Sequence, residues 1–194
     1  GKVPSDNQIR ALLDPIEPTH LDAVYGVALE GLLESGKLEQ FGSYRHKLLI
    51  PLDGTWYFAS KKISCDNCSH KTHADGTVTY FHTAITPVIA KAGESRVIAL
   101  PQEFIWPQDG HAKQDCERAA AKRWIKKHLN LFADWQVTIS GDDLFSNQPF
   151  CALLLDKKCN FILVCKPDSH IELYRWIDYL ETQGAMGHLS QRSW

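Results

Sequence analysis

Two groups of side chains in this sequence have the types and spacing for chemistry. The first are carboxylates set at the ends of apolar runs. Asp53 stands in "LLIPLDGTWYF", between Leu52 and Gly54, where every neighbour reads as strand. An acid in so apolar a run is unfavourable unless it is paired, hydrogen-bonded or ligating a cation. Asp142 and Asp143 close a second such run, "QVTISGDDLF". Carboxylates brought close repel one another and raise a pKa unless a cation lies between them. Hard oxygen ligands with room for water suit Mg²⁺ or Mn²⁺. Two such ions, about 3.5–4 Å apart, activate a water and stabilise the leaving oxygen in phosphoryl transfer. The local alternative for Asp53 is a turn, since Asp-Gly pairs bond their own following backbone. Of the adjacent acids, Asp142 is the expected ligand, because it ends the strand whereas Asp143 is already in the turn.

The second group is "CDNCSHKTH", which places Cys65, Cys68, His70 and His73 within nine residues. Cys-x-x-Cys is a zinc-knuckle spacing, and the two histidines would complete four ligands of a structural zinc. One short loop wraps a tetrahedron poorly, so His82 or a distant cysteine is an alternative ligand. The bland reading is a polar excursion between strands whose thiols are simply reduced.

The elements that must position these residues follow from periodicity. Over residues 1–43 the pattern is helical, with Leu21, Val24, Leu29, Leu32 and Leu33 on one stripe. Thr19 and Asp22 form a capping-box pattern there, and Gly36 is a stop. From His46 the period becomes that of strands: the run around Asp53, then "GTVTYFHTAITPVIA", then "SRVIALPQEFI" with Pro101 as a break. Next comes a helix in "DCERAAAKRWIKKHLN", with Asp115 as its cap and Glu117 suiting its dipole. A strand ending at Asp142, a short helix in "SNQPFCALLLDKK", a buried strand in "CNFILVCK" and a helix in "SHIELYRWIDYLET" complete the pattern. In that last helix Ser169 and Glu172 form a capping-box pattern, and Leu173, Trp176, Ile177 and Leu180 line one face. Strand–helix alternation requires parallel strands joined by crossovers. The expected organisation is an N-terminal helical segment (1–43), an α/β core (44–183) and an irregular tail (184–194).

Composition sets the outer limits. The chain of 194 residues carries a formal net charge of −2 and six cysteines. No apolar run approaches the ~20 residues of a membrane span, and no secretory pattern is present. Scattered single cysteines fit a reducing cytoplasm better than a disulfide framework. Against the slight negative net charge, residues 111–130 concentrate six cations against two acids. Lys113, Lys122 and Arg123 are the expected phosphate contacts of a nucleic-acid partner, and a solvated helix face is the bland reading. Trp106 and Trp124 read as core. Gly1 as the first residue and Met186 as the sole methionine suggest a fragment at both ends.

Antiparallel strands followed by βαβαβ is the element order of a ribonuclease H-like mixed sheet. The blocks "LLIPLDGTWYFASKKISCDNCSHK", "LPQEFIWPQDGHAKQDCERAAAKRWIKKH", "VTISGDDLFSNQPFC" and "FILVCKPDSHIELYRWI" together resemble the DDE transposases of bacterial insertion sequences, in the group termed ISNCY. The resemblance implies a core that cuts DNA at transposon ends and joins the freed 3′-hydroxyl to target DNA. It implies two ions, Mg²⁺ or Mn²⁺, held by an Asp-Asp-Glu triad, and self-association on paired ends. The first acid falls on Asp53 and the second on Asp142. The glutamate belongs further on, in a helix that this sequence does not match, so neither Glu172 nor Glu181 takes the role. The expectation is a truncated core with negligible strand transfer, and the alternative a catalytically inactive DNA-binding or assembly-modulating remnant.

Overall fold

The computed structural model describes residues 3–106 and 116–189. The chain opens with α1 (Asp6–Leu13), where Ser5 Oγ accepts the Gln8 N–H and the Gln8 side chain accepts the Ser5 N–H. A 3-10 turn over Pro18–Leu21 leads into α2 (Asp22–Glu34). The expected Thr19–Asp22 capping box is absent, because Pro18 starts that turn and Asp22 is itself the first residue of α2. Gly36 ends the segment with φ +65°, the left-handed conformation that glycine adopts without a Cβ penalty. The stripe expected to face inward is only partly covered: Leu29 is buried, whereas Leu21, Val24 and Leu33 are exposed.

The core begins with β1 (Leu48–Pro51) and β2 (Gly54–Ser60), two halves of one extended run parted at Leu52-Asp53. β3 (Ser69–Thr72) and β4 (Val78–Ile85) form a hairpin, and β4 lies between β2 and β3 with β7 (Glu103–Ile105) also paired to it, all antiparallel. β5 (Val88–Ile89) pairs antiparallel with β6 (Ile98–Ala99), between the breaks at Pro87 and Pro101. A bridge between Leu49 and Ala90 keeps the register of the Gly54–Ile85 pair. The β2–β4 ladder therefore runs on past Asp53.

Then the alternation changes. α3 (Glu117–His128), β8 (Val137–Gly141), α4 (Gln148–Asp156), β9 (Asn160–Leu163) and α5 (Ile171–Thr182) follow, and β1, β8 and β9 pair parallel in that order. This is a mixed α/β architecture, antiparallel first and parallel after, as the periodicity implied. α3 packs on the sheet through Ala120, Ala121, Trp124 and Ile125, all fully buried against Leu48, Ile50, Ile139 and Phe150. The two alanines let the helix axis approach closely. Trp124 Nε1 donates to the Pro101 carbonyl at 2.7 Å, so its one polar atom is satisfied in the core.

Five expectations are corrected. β9 is a half-covered edge strand, not a fully buried one, because among the described residues only β8 flanks it and Asn160 and Ile162 are exposed. α5 buries none of its residues, and Leu173 and Trp176 are exposed. Its capping box is absent too, since the Ser169 hydroxyl donates to Asp143 and Glu172 pairs with Arg175 at 2.6 Å. Trp106 is 42% exposed instead of joining the core. In the tail, Met186–Leu189 make a short helix, α6, where irregular chain was expected.

Candidate functional site

The parallel register fixes where the two predicted acids meet. Leu48 pairs with Val137 and Pro51 with Ser140, and the Leu52 N–H continues the ladder by donating to Ser140 O at 2.8 Å. Extending that register by two residues sets Asp53 level with Asp142, at the carboxyl ends of adjacent parallel strands. Both residues are exposed. Asp53 Oδ1 accepts the Gly54 N–H at 2.9 Å, but no turn forms there: Gly54 opens β2 and the ladder continues across Asp53. Asp142 Oδ1 accepts the Leu144 N–H at 3.0 Å. Each carboxylate keeps its second oxygen outside these bonds.

A third carboxylate joins them from a helix. Glu117, the first residue of α3, reaches over Gly54, where a Cβ would lie only 2.4–2.9 Å from its Cδ, Oε1 and Cγ. Gly54 thus leaves room for the Glu117 side chain; its glycine serves clearance, not an unusual φ. The Glu117 carboxyl is pushed above its ordinary 4.5, first by burial, then by the negative charges of Asp53 and Asp142. Among the described residues no ion pair involves any of the three. Glu117 was read from sequence as a complement to the helix dipole, and that assignment missed its neighbours. The signal available was a glutamate opening the helix that packs across "LDGT".

Asp143 has a different task. Its carboxylate accepts the Lys166 N–H at 2.7 Å and the Ser169 hydroxyl, and lies 3.2 Å from His170 Nε2. The Lys166 and Ser169 bonds pull its pKa below the usual carboxylate range, with the His170 and Lys166 charges adding to them. It braces the entrance to α5, which leaves Asp142 to face Asp53. Of the downstream acids, Glu172 is engaged by Arg175 and Glu181 is exposed.

The thiol-imidazole cluster assembles differently from its expected form. Cys65 Sγ lies 3.6 Å from Cys68 Sγ, and His82 Nε2 is 3.3 and 3.4 Å from those sulfurs. His82 stands on β4 opposite Phe58, where the hairpin brings it under the Cys65–Cys68 turn. His73 is instead at the far end of the β3–β4 hairpin, 2.8 Å from Thr79 Oγ1. His70 is exposed on β3 and outside the group. Four consecutive extended residues carry both histidines away from the turn, which corrects the all-local ligand set.

The basic segment is partly used internally. Arg123 donates from Nε to Glu103 Oε1 at 2.7 Å and from a terminal nitrogen to Phe104 O at 3.0 Å, tying α3 to β7. Lys127 pairs with Asp22 at 2.7 Å, holding α2 to α3. Lys122 is half-buried, and Lys113 lies outside the described residues. No helix among the described residues is long and apolar enough to cross a membrane. Compared with known proteins, the chain matches no family model, and no curated protein matches it.

Proposed function

We propose that Asp53, Asp142 and Glu117 form the catalytic centre of a ribonuclease H-like phosphoryl-transfer enzyme acting on DNA, of the DDE transposase kind. The observation that carries this reading is the placement of three carboxylates at one end of the β1–β8 pair, with Glu117 raised first by burial and then by the charges of Asp53 and Asp142. Their oxygens stand further apart than the donor atoms of Cys65, Cys68 and His82, the one ready-made ligand group among the described residues. The donor set fits Mg²⁺ or Mn²⁺: all oxygen, negatively charged, and open on the Asp53 and Asp142 side for water and a phosphate. When bound, two such ions supply an activated water or 3′-hydroxyl and a stabilised leaving oxygen. The protein's own share is placement. Asp53 and Asp142 are held level by the parallel ladder, their Gly54 and Leu144 N–H bonds fixing the rotamers. Glu117 is set above them by α3 and by the clearance over Gly54.

On this reading the third carboxylate comes from a helix between the two aspartates, not from a helix beyond them. Hydrolytic nicking is then within reach of this chain, which revises the inactivity expected from a missing downstream glutamate. Self-association on paired DNA ends belongs to the same reading. The test is nicking of supercoiled DNA by the purified chain in Mg²⁺ or Mn²⁺. Asp53→Asn, Asp142→Asn and Glu117→Gln should each reduce it at least about a hundredfold, a loss expected when a ligand of the reacting centre is removed. The competing reading, a DNA-binding remnant, requires salt-sensitive DNA affinity with no metal-dependent cleavage by the unsubstituted chain.

A further inference from the structure

A second, chemically unlike centre sits near the other end of β2. Cys65, Cys68 and His82 turn three soft or borderline donor atoms towards one point, at mutual distances of 3.6, 3.3 and 3.4 Å. A tetrahedral zinc, about 2.3 Å from sulfur and about 2.0–2.1 Å from imidazole nitrogen, has S···S edges of about 3.8 Å and S···N edges of about 3.6 Å. The observed triangle is within a few tenths of an ångström of one face of that tetrahedron. The turn itself is drawn tight: the Cys68 N–H donates to Cys65 O at 3.1 Å, and the Cys65 N–H lies 3.3 Å from Cys68 Sγ.

We propose that Cys65, Cys68 and His82 hold one thiophilic divalent cation, zinc in the cell, and that it clamps the Cys65–Cys68 turn onto β4. Binding exchanges the two thiol protons for the ion, with His82 neutral and coordinating through Nε2. The three ligands leave one tetrahedral position, on the side of an open, mostly apolar hollow lined by Tyr57, Phe58 and Ile63. Water or a small anionic ligand would complete the shell there. The acidic cluster offers only hard oxygens, so the two centres select different metals.

The test is elemental analysis of the full chain purified without chelator, followed by cobalt substitution. One zinc per chain is expected, and the Co²⁺ form should show intense sulfur-to-cobalt charge-transfer absorption with a tetrahedral visible spectrum. His82→Ala should lose the metal, whereas His73→Ala should keep it. Where Cys68→Ser fails to fold, the cobalt spectrum of the unsubstituted chain still decides. Absence of stoichiometric zinc together with a Cys65–Cys68 disulfide would overturn the proposal, as would a cobalt spectrum lacking thiolate charge transfer.

Discussion

Glu117 is the residue on which the account turns, and its protonation gives a signed prediction. Its folded carboxyl titrates above the ordinary 4.5. Its favourable contribution is therefore complete below about that pH and is lost as pH rises through the folded value. At pH 7 without divalent ions, the folded chain holds a repulsion that the unfolded chain lacks. Glu117→Gln should accordingly stabilise the metal-free chain at pH 7, by a few tenths to about 1 kcal/mol given solvent screening of half-exposed groups. The gain should vanish near pH 4. Urea unfolding at the two pH values measures it, and a Gln variant less stable at pH 7 would contradict the convergence. Gly54→Ala acts on the same contact from below. Its Cβ would overlap the Glu117 side chain, which can rotate away, so a loss of no more than about 1 kcal/mol is expected, together with weakened Mn²⁺ binding. Asp53 and Asp142 were legible as residues because each interrupts an apolar run. Glu117 was not, since a glutamate opening a helix has an adequate local explanation and only the helix–sheet approach supplies the second one. His82 was legible as an alternative ligand, because one short loop wraps a tetrahedron poorly; what the sequence left open was its place over the local His70 and His73, which hairpin register decides.

At the scale of elements, α3 carries both the site and the core. Trp124 is its anchor, fully buried and bonded to the Pro101 carbonyl. Trp124→Phe should cost about 1–3 kcal/mol, because it leaves a buried carbonyl unpaired as well as a void. Thermal unfolding would register it, and a neutral effect would mean that the bond has a ready replacement in water. Most helices and strands were legible: the switch from period two to alternating strand and helix gives β1, β2, β4, β8, β9 and α3–α5 in order, whereas β3 falls in the polar stretch read as a ligand loop, and β5 and β7 fall inside runs read as single strands. What periodicity missed was coverage. The apolar positions of α5 have the spacing of a buried face, yet no described residue of α5 is buried, because spacing fixes which side chains share a face and not what lies against it. Likewise Ser169 has a capping pattern, but Asp143 is a charged acceptor within reach and outcompetes the local backbone partner.

At the scale of the whole molecule the elements share one core, and its acid stability should show one buried switch. His128 is buried beside Trp124 with its Nε2 unpartnered among the described residues. Burial, chiefly, lowers its pKa below 6.5. A depressed folded pKa means that its contribution is full above about pH 6.5 and lost as pH falls through the folded value, because the unfolded chain takes up the proton first. Unfolding free energy should decline below pH 6.5 in the unsubstituted chain and decline less in His128→Phe. Equal slopes would assign the acid response elsewhere. The central claim, that three carboxylates form one divalent-ion site, is tested most directly by titrating Mn²⁺ into the chain and into Glu117→Gln at pH 7. Saturable binding that raises the melting temperature, is lost in Glu117→Gln and survives in His82→Ala is the predicted result. Mn²⁺ binding that is absent, or unchanged when Glu117 is replaced, would contradict it.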